Sequence, residues 1–145
     1  MIEASAPFTL SNRKVVLIDT PGFDDTTKTD TEILQLIAEF LAHSYAAGHK
    51  LTAIFFLHRI SDPRMSGISL RTFRTFRKLC GDTAISQGRV VILTTMWSLV
   101  DPALGEQREE ELRKEDSFFG SALERGARMV RHDGTRECVV GILRE

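Results

Sequence analysis

The sequence predicts an α/β fold of three layers, in which a mostly parallel sheet carries helices on both of its faces. Two observations lead to this fold class. Apolar runs of strand length stand at residues 15–18, 51–57 and 90–95, and such runs are typical of parallel strands that are buried on both faces. Segments with the apolar spacing of helices separate these runs, and a regular alternation of strands and helices indicates a parallel sheet covered by helices.

The composition is that of a globular domain. The chain has 145 residues, of which 42% are hydrophobic and 27% are charged, so we expect one domain over residues 1–145. A net charge of −1 argues against a nucleic-acid-binding protein. No apolar run approaches the roughly 20 residues that span a bilayer. Cys80 and Cys138 match no metal-binding spacing, and the simplest location is the cytoplasm, with both thiols reduced inside the core.

The first elements are a hairpin and a helix. Residues 8–10 and 14–19 flank a short polar turn, which predicts a hairpin with a buried second strand. Residues 22–29 are polar, which predicts a mobile loop. Thr29 and Glu32 have the spacing of a capping box, so a helix is expected to follow and to end near Gly48. Its buried stripe consists of Ile33, Leu36, Ile37, Phe40 and Leu41.

The remaining elements continue the alternation. Buried strands are predicted at 51–57 and 89–95, and a short strand at 127–131. Helices are predicted at 66–80, ending at Gly81, and at 104–116, 118–125 and 136–143. The helix at 104–116 is highly charged, so we expect it to be exposed. The histidines have no metal-ligand spacing and are expected at surface or helix-cap positions; they are His43, His49, His58 and His132.

One motif, Asp19-Thr20-Pro21-Gly22, directly follows the apolar run 15–18. A parallel strand there would deliver Asp19 to the carboxyl edge of the sheet, where open α/β sheets bind ligands. A carboxylate at that edge can hold Mg²⁺ through water, and the metal bridges the β- and γ-phosphates of a nucleotide. Gly22 offers a backbone N–H to the γ-phosphate without an obstructing Cβ. The alternative is a buried strand that ends in an ordinary Pro-Gly turn.

The order of segments resembles the G domain of septin-like P-loop GTPases of the translation-factor class. The nearest likeness is to the group that includes the immunity-associated and chloroplast-import GTPases. The block D-T-P-G-F-D-D-T at 19–26 carries most of this resemblance, and residues 51–62 resemble the fourth strand of the family and the loop after it. The segments T-T-M-W at 94–97 and R-H-D-G-T at 131–135 are similar to segments of fungal G-domain-containing proteins. The resemblance implies a set of nucleotide-binding residues, which consists of Gly22, Thr94, Thr95, Met96, Trp97, His132, Asp133, Gly134 and Thr135.

The resemblance implies GTP or GDP as ligand, Mg²⁺ held by Asp19, GTP hydrolysis and a homodimer formed through the nucleotide face. The chain departs from the family at its specificity loop, which normally reads [N/T]-K-x-D. Ser98 stands where an Asp is expected, and Asp101 comes three residues later. Trp97 either stacks on the base or packs at the strand end. Phe23 stands where Ras-like enzymes place a Gln, and a phenyl ring cannot orient water.

The sequence contains no G-x-x-x-x-G-K-[S/T], the loop that cradles phosphates. We therefore expect a truncated P-loop NTPase-like fold from which the first strand and the phosphate loop are missing. It would be a GTP-binding domain with weak or no hydrolytic activity. The alternative belongs to a different class of function. In it, the chain is a nucleotide-free pseudo-GTPase fragment that acts as a protein interaction module. A third possibility is an unstable fragment without a role of its own.

Overall fold

The structure is a computed structural model that describes residues 1–23, 27–63, 67–115 and 118–145, with only the backbone for residues 67–69. Apart from the last two residues, its contacts divide it into two compact units, Met1–Leu51 and Thr52–Leu143. We call them the N-terminal and C-terminal units. The prediction of a single domain stays a prediction, and each unit is described by itself.

The N-terminal unit contains two small antiparallel sheets and a helix. Strands β2 (Phe8–Leu10) and β3 (Arg13–Val15) form the predicted hairpin. Its turn consists of Ser11 and Asn12, with φ angles of 48° and 62°, which is the left-handed geometry of the two-residue turns that match the twist of a hairpin. Strand β1 (Glu3–Ala4) pairs with β4 (Ile18–Asp19).

The expectation of one buried parallel strand over residues 14–19 is wrong. This stretch is divided into β3 and β4, and both pair in an antiparallel way. The backbone between them is bound to Ser5, whose N–H donates to the Leu17 carbonyl at 2.8 Å and whose Oγ accepts from the Leu17 N–H at 2.9 Å. Val16 and Leu17 therefore remain 45% and 40% exposed. The backbone of the apolar run pairs with Ala4, Ser5 and Phe8, which precede it in the chain, and not with parallel strands.

Helix α1 (Asp30–Ala46) begins at the predicted capping box. The Thr29 hydroxyl accepts from the Glu32 N–H at 3.3 Å, and the Glu32 carboxylate accepts from the Thr29 N–H at 2.7 Å. Ile33 is fully buried. Gly48 follows the helix with a φ of 83°, which confirms the predicted end. The predicted loop at 22–29 includes residues 24–26, which lie outside the described residues.

The C-terminal unit is built on a three-stranded parallel sheet in the order β5-β6-β7. The strands are β5 (Ile54–Arg59), β6 (Val90–Thr95) and β7 (Arg128–Arg131). The helices that connect and follow them are α2 (Gly67–Ser86), α3 (Pro102–Lys114), α4 (Gly120–Glu124) and α5 (Arg136–Arg144). The predicted α/β class with a parallel sheet is confirmed.

Alternation along the strands gives this sheet two apolar faces. Val90, Ile92 and Met129 belong to one core with side chains of α2, α3 and α4. Val91 and Leu93 belong to a second core with Ile142 of α5. Within the C-terminal unit, helices therefore cover both faces of the sheet, as predicted. The expectation of a buried strand at 51–57 is only partly met, because β5 is mostly half-buried and Leu57 is 64% exposed.

Three local predictions need correction. Gly81 has φ 77° and ψ 157°, so the helical backbone is kinked there, but the helix does not end at Gly81 and continues to Ser86. Helix α3 is not simply exposed, because Gly105, Glu109 and Leu112 are buried along one face. His58 is not on the surface and is only 7% exposed. Among the described residues, no helix is long and apolar enough to cross a bilayer.

Candidate functional site

The two phosphate-side candidates belong to the N-terminal unit. Asp19 ends β4, where it lies opposite Glu3 of β1, and it is exposed. Gly22 is also exposed, and a Cβ added there would meet nothing within 4 Å. No cluster of three or more His, Cys, Asp or Glu side chains that could hold a metal occurs among the described residues. A single exposed carboxylate still fits Mg²⁺, which keeps several waters and takes its other ligands from phosphates.

The two base-side loops of the C-terminal unit lie next to each other. The His132 N–H donates to the Thr94 carbonyl at 2.9 Å, and this bond continues the pairing of β6 and β7 into the loops. The Ile60 N–H likewise donates to the Thr95 carbonyl at 2.9 Å. The carboxyl ends of all three strands are therefore joined, and residues 94–97 and 132–135 form one edge of the sheet.

Most polar groups of the first loop are engaged inside the protein. Thr94 is fully buried, and its hydroxyl and carbonyl accept from the Trp97 Nε1–H at 3.0 and 3.2 Å. The Thr95 hydroxyl donates to the His58 carbonyl at 3.4 Å. Met96 has a φ of 60°, and its side chain is 48% exposed. Of these candidates, Met96 presents the most side chain to solvent, whereas the threonine hydroxyls hold the loop in shape.

Trp97 contacts an arginine and packs close to a glycine. The Cζ of Arg131 is 4.2 Å from the centroid of the indole ring, a distance typical of a cation–π contact. A Cβ on Gly105 of α3 would come within 2.8 Å of the indole Cζ3. Because a glycine is needed for this approach, the indole packs directly against the backbone of α3.

Arg131 is fixed by a buried carboxylate. Its Nε donates to both carboxylate oxygens of Glu109 at 3.1 Å, and its Nη2 donates to Oε2 at 2.5 Å. The Glu109 side chain is 10% exposed, whereas that of Arg131 is 48% exposed. The hydrogen bonds to Glu109 raise the pKa of Arg131. Arg113 approaches the same carboxylate at 3.8 Å and donates to the Met129 carbonyl at 3.3 Å.

Helix α3 also holds the loop that follows β5. Nη1 of Arg108 donates to the carbonyls of Ile60 and Ser61, both at 2.9 Å. The helix is capped by Asp101, whose carboxylate accepts from the Ala103 N–H at 3.1 Å. Polar side chains of α3 are thus bound at the carboxyl ends of β5 and β7, so this helix anchors the edge on which the candidate loops lie.

The second loop is shaped by its own hydrogen bonds. His132 Nδ1 accepts from the Gly134 N–H at 2.9 Å, and Asp133 Oδ1 accepts from the Thr135 N–H at 2.8 Å and from its hydroxyl at 2.7 Å. The Thr135 hydroxyl caps α5 by accepting from the Cys138 N–H at 3.2 Å. The hydrogen bonds from Thr135 lower the pKa of Asp133. Asp133 is therefore an ionised residue that orders the turn.

Two polar residues of this edge were given no role of their own at the level of sequence. They are Glu109 and Arg131, and Arg131 stood there only as the first residue of the R-H-D-G-T segment. Both stand among many charged residues, and their pairing across 22 positions has no local signal. The spacing of Gly105, Glu109 and Leu112, which lie three and four residues apart, could have indicated that one charged residue of α3 faces inward.

No family model matches the chain, and no curated protein matches it. Among solved structures, it is similar to a dimerization-deficient mutant of Toc33 from Arabidopsis thaliana, a GTPase of the chloroplast import family. The TM-score is 0.69 at 12% sequence identity, and the match covers 93% of this chain and 57% of the Toc33 chain. The chain thus spans little more than half of the length of that protein. At this level of identity the likeness concerns the fold, and it shows that the chain has a G-domain-like fold.

Proposed function

We propose that the chain is a GTP-binding domain of the septin-like P-loop GTPase type. The observation that carries this proposal is the hydrogen bond from the His132 N–H to the Thr94 carbonyl at 2.9 Å. It places side by side the two loops that the motif order assigns to the base. The carboxyl edge of a parallel sheet is where open α/β proteins bind ligands. The G-domain-like fold supports the same reading.

Each candidate residue has a role in this proposal. Asp19 would hold Mg²⁺ through water, and the metal would offset charge on the β- and γ-phosphates of GTP. The Gly22 N–H would donate to the γ-phosphate. The base would lie between two loops. One loop consists of Thr94, Thr95, Met96 and Trp97, and the other consists of His132, Asp133, Gly134 and Thr135.

Hydrolysis is expected to be slow. The sequence lacks the G-x-x-x-x-G-K-[S/T] loop, which supplies backbone N–H groups and a Lys to the phosphates. Phe23 cannot orient a water molecule for attack. We propose that a second copy of the chain, docked at the nucleotide face, contributes a group that assists hydrolysis. We also propose that the protein acts in the cytoplasm. The name of the Toc33 structure, a dimerization-deficient mutant, indicates that Toc33 dimerizes, which supports the homodimer.

A second candidate function, an interaction module without nucleotide, is favoured by one observation. The Thr94 hydroxyl and the Trp97 indole N–H are bound to each other, and Ser98 stands where the family carries an Asp. A loop whose polar groups are satisfied internally has fewer groups with which to read a base edge. Under this alternative, the same edge serves as a protein-binding surface.

The two functions are separated by titrating the full chain with a fluorescent GTP analogue and a matching ATP analogue in Mg²⁺. We expect weak binding that prefers GTP and requires Mg²⁺. Asp19→Ala should weaken it, whereas Glu3→Ala, which removes the carboxylate opposite Asp19 in β1, should not. Absence of binding at millimolar nucleotide, by a chain that circular dichroism shows to be folded, would overturn nucleotide binding and favour the interaction module.

A further inference from the structure

The guanidinium of Arg131 is held in one position at the carboxyl edge of the C-terminal unit. Arg131 is the last residue of β7, immediately before His132, whose N–H is bound to the end of β6. One side of the guanidinium lies over the Trp97 indole, 4.2 Å from its centroid. Its Nε and Nη2 are bound to Glu109. The side chain is nevertheless 48% exposed, so part of this fixed group faces solvent next to His132, the first residue of the second base-side loop.

Trp97 is poorly placed to contact a base itself. Its Nε1–H is bound to Thr94, its ring packs against Gly105, and Arg131 lies over the ring. A base could reach the indole on the side of Arg131 only by displacing the guanidinium from Glu109. That displacement would leave the carboxylate of Glu109, 10% exposed, without its bidentate partner, which is costly.

The ion pair of Glu109 and Arg131 is buried on one side only, since the Glu109 side chain is 10% exposed and that of Arg131 is 48% exposed. Such a pair contributes little net stability, because the carboxylate loses its hydration and the exposed guanidinium is screened by solvent. What the pair does supply is orientation, since a bidentate contact fixes the plane of a guanidinium. Glu109 and Trp97 together fix the orientation of the Arg131 guanidinium, and the stability of the fold does not require this orientation.

From this geometry we propose that Arg131 is the surface on which the nucleotide base stacks, with Trp97 beneath it and Glu109 as its positioning residue. This inference rests on the proposed function and deepens it by naming the base-contacting group. Guanidinium planes are known stacking partners for bases. Stacking uses the face of a purine and not its hydrogen-bonding edge, so it serves guanine and adenine equally. Arg131 thus supplies affinity for purine nucleotides, and any preference for guanine must come from other groups.

The test compares the full-length wild-type chain with Arg131→Ala, Arg131→Lys and Arg128→Ala. Affinities for GTP and ATP analogues with a ribose-linked fluorophore are measured in Mg²⁺. Arg128→Ala is the matched control, because Arg128 lies at the other end of β7 and pairs with Glu145. Arg131→Lys keeps a positive charge opposite Glu109, so it preserves the fold if the Ala variant does not fold. Trp97 is the single tryptophan, so acrylamide quenching of its fluorescence reports the stack without any nucleotide.

We expect Arg131→Ala to increase the quenching of Trp97 and to weaken both nucleotides by the same factor, about five- to tenfold. Arg131→Lys should have an intermediate effect, and Arg128→Ala none. Full affinity in Arg131→Lys, or loss of GTP binding alone, would overturn stacking in favour of a charge effect or an edge contact. Wild-type binding with no change in Arg131→Ala would overturn this inference and leave the proposed function intact. No binding by the wild type would overturn both.

Discussion

Among the described residues, three polar side chains are buried where the strands of the C-terminal unit end. His58 lies near the end of β5, Thr94 lies near the end of β6, and Glu109 binds Arg131 at the end of β7. Burying a polar group is costly unless it is hydrogen-bonded, and Thr94 and Glu109 are bound to Trp97 and Arg131 respectively. Polar burial at this edge coincides with the place where open α/β sheets bind ligands.

His58 makes stability depend on pH near neutrality. Burial lowers its pKa from the ordinary value of 6.5, helped by Arg59 and opposed by Asp62. The unfolded chain therefore takes up a proton at a higher pH than the folded chain does. The free energy of unfolding should fall as the pH is lowered from about 6.5 toward the depressed pKa of the folded protein, by at most ~1.4 kcal/mol per pH unit.

Chemical denaturation at pH 7.0, 6.5, 6.0 and 5.5 measures this slope. His58→Phe removes the titrating group and keeps a ring beside Phe119, whose centroid is 5.5 Å from that of His58. The slope should become shallower in His58→Phe and remain unchanged in His49→Gln, where the histidine is exposed. An equal slope in all three proteins would show that His58 is not desolvated.

At the scale of elements, helix α3 organises the candidate edge through one face. Gly105 lies where Trp97 packs, so a Cβ there would be 2.8 Å from the indole Cζ3. Gly105→Ala should destabilise the protein by about 1–3 kcal/mol through overpacking. It should also shift the fluorescence of the single tryptophan. Unfolding monitored by far-UV circular dichroism gives the stability change.

The matched control is Gly141→Ala on α5. Gly141 is exposed, and an added Cβ would meet nothing within 4 Å. The same substitution should therefore stabilise by about 0.5–1 kcal/mol, because Ala has the higher helix propensity. Equal stabilisation by both substitutions would mean that the close approach of Trp97 to α3 does not exist.

The elements that the sequence predicted well are those with local signals. The capping box of Thr29 and Glu32 and the glycine after α1 needed only neighbours within one turn of helix. The apolar run of β6 was long enough to predict a buried strand without knowledge of the neighbouring strands. The structure of residues 14–19 was predicted incorrectly, because the same apolar run can pair with antiparallel strands or with a parallel strand. Glu109 was missed for a similar reason, since its partner Arg131 lies 22 residues away.

At the scale of the whole molecule, the two units differ in how their backbone is protected. Strand β6 is hydrogen-bonded on both sides, and Val90, Val91 and Ile92 are at most 1% exposed. The strands of the N-terminal unit have two or three residues each. Local opening requires little free energy where few apolar contacts are lost. The order of the candidate loops along the chain was predictable from the sequence. The difference in backbone protection between the two units was not, because it depends on which strands pair.

Hydrogen–deuterium exchange followed by mass spectrometry measures the difference directly. Peptides that cover residues 8–19 should exchange much faster than peptides that cover 89–95, because Val16 and Leu17 remain 45% and 40% exposed and their strands can open locally. Peptides that cover α1 provide a reference inside the N-terminal unit, where the capped helix should exchange more slowly than the hairpin. If residues 8–19 were as protected as 89–95, the apolar run before Asp19 would be a buried strand after all. Asp19 would then stand at the end of a core strand, as the motif alone predicts.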